Sequence, residues 1–335
     1  MTIIAQDHDK TTSVKLHSHD TLKNINTEKW REKKLSAGKM AVRMAHLGAP
    51  YEKRAERIAG CAGALQTRSC PDGHHNRVVR AVLCKDRACP VCSWRRSRAL
   101  GARAAAAMAA AGGRYIMVSL TIPHVLPLKD ALKILCKSAG VLMRSPRLRG
   151  VVGGYIRTIE ITQGRNGWHP HIHILARVED SYFRSALYVH ESEWANLWMA
   201  ALEKADKKIY RALETYLDNI NLSAPVIDVR AVVDGNGAAA EVAKYVSKSA
   251  DLLALHLDQL AEWLEAVRGA RLWVAAGCLK TAHEENLDLI HEAENGAAEL
   301  CPVCGARLQL VDWIFSGGEY SPAPAPLNWW EKRRE

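Results

Sequence analysis

The stretch Trp168-His-Pro-His-Ile-His-Ile-Leu175 decides how the chain is to be read. As a β-strand, its alternation puts His169, His171 and His173 on one face and Pro170, Ile172 and Ile174 on the other. One face binds while the other packs. Cβ atoms two residues apart on a strand stand roughly 6.5–7 Å from each other, so imidazoles from His171 and His173 can converge on one ion at bond lengths of about 2.1 Å.

Upstream, Gly153–Thr162 (GGYIRTIEIT) is a second β-branched run, and QGRNG between the two is a turn signal, so the pair reads as an antiparallel hairpin. Glu160 then faces the histidines across the hairpin. Its carboxylate completes a His-His-Glu set with positions left open for phosphate oxygen and water, a donor set that suits Mn²⁺ and tolerates Mg²⁺.

Further out, YIMVSLTI (115–122) is a strand stopped by Pro123, residues 191–219 carry apolar side chains at helical spacing, VIDVRAVV (226–233) is a strand and GAAAEVAKYVSKSADLL (237–253) a helix. The order predicts an α+β fold with a central antiparallel sheet flanked by helices. On the last helix Glu241, Tyr245 and Lys248 stand at i−4, i and i+3, on one face. A tyrosine flanked by charges is by itself an ordinary amphipathic surface. Beside a metal site it becomes a candidate nucleophile, with Lys248 stabilising developing negative charge.

The 335 residues carry 46 Lys and Arg against 36 Asp and Glu, a formal charge of +10, which favours a polyanionic partner. The N-terminus lacks the charged-then-apolar order of a secretory signal, and the Ala-rich run 99–113 is interrupted by Arg103. A cytoplasmic protein without a membrane segment is expected. Nine cysteines, four of them in two Cys-Pro-Val-Cys tetrapeptides, point to zinc rather than to disulfides. Cys89 and Cys92 form a knuckle with Cys84, Cys70 and Cys61 within reach, one cysteine too many for four positions, and His74 or His75 can substitute. Cys301 and Cys304 resemble half a zinc ribbon, with Cys278, His283 and His291 as nearby partners. Trp94, Arg95, Arg96 and Arg98 follow the first knuckle and combine stacking with phosphate-binding groups.

Four regions are expected: a polar arm over 1–50, a Cys-rich zinc module and Ala-rich helix over 51–111, a nicking domain over 112–255, and a helical C-terminal region with a Pro-rich tail over 256–335.

SLTIPH (119–124), WHPHIHIL and EVAKYVSK (241–248) resemble, in order and spacing, the three motifs of Rep_1-type rolling-circle plasmid replication initiators, of the HUH endonuclease superfamily, and CKDRACPVCSWRRS (84–97) is similar to the cysteine-rich element before their first motif. The resemblance runs from about Cys61 to Gly277. It implies an HUH core with His171 and His173 as metal ligands, Glu160 as third ligand, and Tyr245 as the single nucleophile, since the position four before it is Glu241. In such relatives a carboxylate there activates water for the terminating cleavage. Implied partners are origin DNA, nicked as exposed single strand to leave a 3′-OH primer, together with a host helicase and the replication machinery. Oligomeric state stays open. Rival readings are an HUH transposase or relaxase, a non-catalytic zinc-ribbon DNA-binding regulator, and a tyrosine-free metal hydrolase.

Overall fold

The fold is a mixed α+β arrangement of two antiparallel sheets with helices around them, seen in a computed structural model that describes residues 25–122, 126–165, 167–219, 227–244, 249–290 and 299–324. The described residues begin with α1 (Ile25–Ala45) and α2 (Glu52–Gly60), then a hairpin of β1 (Ala64–Ser69) and β2 (Asn76–Ala81). α3 (Pro90–Ala111) leads into β3 (Arg114–Thr121), α4 (Leu128–Met143) and the single turn α5 (Pro146–Arg149). β4 (Val152–Gly164) and β5 (Gly167–Val178) follow, then α6 (Glu191–Ala205), α7 (Lys207–Asn219), β6 (Ile227–Ala231), α8 (Gly235–Lys244), α9 (Ser249–Ala254) and α10 (Leu257–Ala266). The last elements are strands β7 (Trp273–Gly277), β8 (Gln309–Ser316) and β9 (Glu319–Pro322).

The larger sheet has the order β6-β3-β5-β4-β7, with the expected hairpin β4–β5 at its centre. Ile172 and Ile174 of β5 are wholly buried with Val118 and Leu120 of β3, under α4 and the tryptophans Trp194 and Trp198 of α6. Each such side chain contributes about 1.5–3 kcal/mol by leaving water. The opposite face carries Tyr115, Met117, Ile156 and Leu175, covered by the small residues of α3 and α8. There a Cβ on Gly101 would stand 3.5 Å from the Cβ of Ala243, so the two helices approach closely. A one-residue slip of β5 would drive its isoleucines out of the main core and its histidines into it, which fixes the register.

The 191–219 stretch divides into α6 and α7 at Asp206, which is extended and accepts hydrogen bonds from the backbone N–H groups of Lys208 (3.1 Å) and Ile209 (3.2 Å). A carboxylate in that place starts a new helix.

The smaller sheet, β2-β1-β8-β9, is built from both ends of the chain. Trp313 of β8 donates its indole N–H to Thr67 Oγ1 of β1 at 2.8 Å, and both are buried. Tyr320 of β9 donates to the carbonyl of Ala62 at 2.7 Å.

Three expectations are corrected. Residues 25–45 are not an arm but a packed helix, with Trp30, Ala37, Met40 and Met44 fully buried. Lys34 on the same seam, whose ammonium donates to the carbonyl of Ala59, masks the apolar period in the sequence. The larger sheet runs past residue 255, because β7 pairs with β4. Finally, the region after 255 is not helical throughout: β8 and β9 complete the sheet that β1 and β2 begin. Among the described residues no helix is long and apolar enough to cross a membrane.

Candidate functional site

Two adjacent strands, β4 and β5, carry the expected ligands on one face, and β3 adds Ser119 beside them. In the register of β4, β5 and β3, Glu160 lies opposite His171, Thr158 opposite His173, and Ser119 opposite His173 from the other side. His173 Nε2 stands 2.9 Å from Glu160 Oε2, and its Nδ1 stands 3.0 Å from Ser119 Oγ. Both His173 and Glu160 are buried, at 8% and 7% exposure, so this is a fixed pair and not a surface encounter. Their separation matches the edge of an octahedral site: two ligands at right angles, each about 2.1 Å from an ion, lie about 3.0 Å apart. Directly across from His173, the buried Thr158 Oγ1 has no hydrogen-bond partner among the described residues.

His171 is half-buried on the same face, its ring centroid 6.4 Å from that of His173 and tilted by 34°, while His169 stacks 6.5 Å beyond. Glu160, His171 and His173 share a face, although their ligand atoms are not gathered as closely as those of the cysteine clusters below. Ser119 is the residue for which the sequence offered no role. Its signal lay in the alternation of YIMVSLTI, which puts it on the histidine face. The last two residues of the first motif, Pro123 and His124, lie outside the described residues, as do Tyr245, Lys248 and His291.

α8 packs on that same face through Ala238, Ala239, Val242 and Ala243, among Met117, Ile156 and Leu175. Glu241 is half-buried there and forms an ion pair with Arg230 of β6. Arg230 is a partner the sequence did not single out. α8 is described as far as Lys244, one residue before Tyr245.

The cysteines sort into two groups. Cys61, Cys84, Cys89 and Cys92 offer four sulfurs within 4.8 Å of one another, with Cys61–Cys92 and Cys84–Cys92 each 3.6 Å apart. A tetrahedral zinc with bonds of about 2.3 Å needs sulfurs about 3.8 Å apart. The crowded thiols hydrogen-bond to one another, which drives Cys84 down and Cys89 and Cys92 up. Asp86 shapes the loop: its carboxylate takes two hydrogen bonds from Arg54, at 2.9 and 3.1 Å, and one from the N–H of Ala88.

Cys70 belongs to the second group, with His74, Cys301 and Cys304. Of the five upstream cysteines Cys70 therefore stands apart from the other four, and it is Cys70 and His74, not Cys278 or His283, that lie beside Cys301 and Cys304. Cys278 is exposed, and His283 meets Arg103 at 3.2 Å. Burial works to raise the Cys301 thiol, but hydrogen bonds from the backbone N–H groups of Cys304 and Val303 outweigh it and bring it to about 7. Cys136 receives a hydrogen bond from Arg157 at 3.3 Å, apart from both groups.

The expected DNA-binding cluster narrows. Arg95 is fully buried, donates to the carbonyls of Leu289 (2.8 Å) and Ile290 (3.2 Å), and lies over the rings of Trp30 and Trp94. Arg96 pairs with Glu284 at 3.1 Å and donates to the carbonyl of Lys85. Trp94 meets Trp30 edge-on at 5.2 Å. Of the four residues only Arg98 is exposed. Two arginines that read as a basic face are therefore internal braces, and Arg95→Ala is expected to cost about 2–4 kcal/mol, because it empties a packed site and strands two carbonyls. Chemical denaturation checks this; a loss below 1 kcal/mol would contradict it.

The described residues thus present a sheet face bearing a His-Glu pair, a helix that runs up to the candidate tyrosine, and two cysteine clusters fit to hold metal. The sequence model of the Rep_1 family, described as replication protein, matches residues 75–303, and the chain belongs to that family. It is 30% identical to Protein rep of Lactiplantibacillus plantarum over 295 residues, 81% of this chain and 88% of the relative. It is also 30% identical to Protein rep of Bacillus amyloliquefaciens over 277 residues, covering 76% and 81% of the two chains. A replication protein of Staphylococcus aureus is 25% identical over 203 residues, 56% of this chain and 82% of the relative. No solved structure matches.

Proposed function

We propose that this protein initiates rolling-circle replication of a plasmid by nicking one strand of the origin with a tyrosine nucleophile. The observation that supports this most is the Ser119–His173–Glu160 contact on a sheet face shared with His171 and covered by the helix that precedes Tyr245. His171, His173 and Glu160 would hold Mn²⁺ or Mg²⁺. When bound, that ion acts as a Lewis acid on the scissile phosphate and orients it.

The protein's own groups supply the rest. The Tyr245 oxygen attacks phosphorus in line, a Tyr–O–P bond forms, and the P–O3′ bond breaks. The leaving oxygen takes a proton and becomes the 3′-OH primer, while the 5′-phosphate stays on the tyrosine. Lys248 neutralises charge growing on the phosphoryl oxygens. Ser119 holds the His173 ring through Nδ1 and leaves Nε2, beside Glu160, to face the ion, so no reorientation is needed when substrate arrives. Glu241 serves the terminating step, taking a proton from the water that hydrolyses the phosphotyrosyl bond, with Arg230 setting its position. The Cys61, Cys84, Cys89 and Cys92 cluster would carry structural zinc that shapes the module before α3.

The reading is tested with supercoiled DNA carrying the origin of the replicon that encodes the protein. Conversion to open circles with Mn²⁺, stopped by a chelator and restored by re-addition of the ion, is expected. Nicking that is indifferent to the chelator would overturn the metal-assisted step.

A further inference from the structure

We infer that Cys70, His74, Cys301 and Cys304 form a second zinc site, of the ribbon type, which staples the C-terminal hairpin to the N-terminal one. The ligands come from two loops far apart in sequence: Cys70 and Cys304 are separated by 234 residues, yet Cys70 Sγ stands 3.5 Å from Cys304 Sγ and 3.9 Å from His74 Nδ1. Those separations suit a tetrahedral ion with Zn–S bonds of about 2.3 Å and Zn–N bonds of about 2.0–2.1 Å, and are far beyond the S–S bond of about 2.05 Å that a disulfide needs.

The two loops are built alike. The N–H of Cys70 donates to the carbonyl of His75 at 2.7 Å, and the N–H of Cys301 donates to the carbonyl of Ala306 at 2.8 Å, the same five-residue step. Each turn passes through a glycine with positive φ, Gly73 at 75° and Gly305 at 72°, whose N–H bonds back to the carbonyl of its cysteine. Both are short hairpin tips that aim the first cysteine inward: one joins β1 to β2, and the other is closed by the Leu300–Arg307 bridge just before β8.

Apolar packing cannot hold these tips together. Among the described residues around the ligands, only Cys70, Cys301 and Leu308 are buried, with Ala306 against them, a cluster separate from the main core. So small an apolar cluster is ordinarily held by a metal or a cross-link. Three thiolates and an imidazole are a soft, tetrahedral donor set that selects zinc over the oxygen-seeking ions of the nicking site. Because β1 pairs with β8, a zinc here would lock the four-stranded sheet at the end where its two halves meet.

The test counts zinc released from the full chain by a thiol-blocking mercurial, which reports only thiolate-bound metal and leaves the His-Glu site out of the count. Two equivalents per chain are expected, falling to one in Cys301→Ser/Cys304→Ser and in Cys70→Ser. One equivalent in the parent chain, or two in the double variant, would overturn the inference. A second measurement does not depend on tolerating ligand loss. In the Co²⁺-substituted protein, His74→Cys adds one Co–S bond, so the sulfur-to-metal absorption in the near ultraviolet should rise. An unchanged spectrum removes His74, and with it the proposed ligand set. The nicking assay is independent of both readouts, so the two readings can fail separately.

Discussion

His173→Ala is expected to lower nicking of origin DNA by about a thousandfold while leaving the fold intact, because a metal at the reacting phosphate supplies several kcal/mol and each 1.4 kcal/mol is a decade in rate. The strand that carries His173 is held by its other face, where Ile172 and Ile174 are fully buried, so removing one imidazole empties the site without loosening β5. Glu160 would lose its 2.9 Å partner and Ser119 its 3.0 Å partner. His169→Ala is the control. His169 shares the face but stacks on His171 away from Glu160, and its loss is expected to change the rate less than about threefold. Rates of open-circle formation at saturating Mn²⁺, beside thermal melts, decide the matter. A His173→Ala protein nicking within tenfold of the parent would remove this residue from the site.

Cys89→Ser is expected to have the largest effect on stability. Cys61, Cys89 and Cys92 are completely buried and belong to the same core as α1, α2 and α4. Structural zinc in such clusters contributes about 10–16 kcal/mol of apparent folding free energy, and most of that is lost when one of four thiolates is removed. The parent chain should lose zinc and melt at least about 10 °C lower in strong chelator, on the scale of about 2–4 °C per kcal/mol for domains of this size. Cys89→Ser should already melt well below the parent, and chelator, which in this variant has only the zinc at Cys70, His74, Cys301 and Cys304 to remove, should lower it by less than it lowers the parent. Calorimetry with metal analysis reads both. A Cys89→Ser chain that retains its full zinc and melting temperature would refute the assignment of this cluster.

What could be read in the sequence follows the range of each interaction. The β4–β5 hairpin was legible because its alternation and the turn at 163–167 are local, and the face shared by Glu160, His171 and His173 came with it. The pairing of Cys70 with Cys301 and Cys304 was not, since it depends on β1 meeting β8 across most of the chain. Spacing alone offered Cys278 and His283, which are near in sequence and elsewhere in space. Helix α1 was hidden for a different reason: its buried seam is narrow and includes Lys34, whose ammonium is satisfied by a carbonyl of α2 that no periodicity reveals. Arg95 and Arg96 follow Trp94 in a pattern that reads as a basic surface. Only the packing of Trp30 and the position of the 284–290 segment turn them inward.

The proposed nick passes through a covalent bond between DNA and Tyr245. The most direct measurement is mass spectrometry of the protein after reaction with a single-stranded origin oligonucleotide and Mn²⁺, with nuclease and protease digestion. One nucleotide-bearing peptide is expected, with the added mass on Tyr245, absent in Tyr245→Phe. Cleavage of the oligonucleotide with no covalent peptide, or an adduct that persists in Tyr245→Phe, would contradict it.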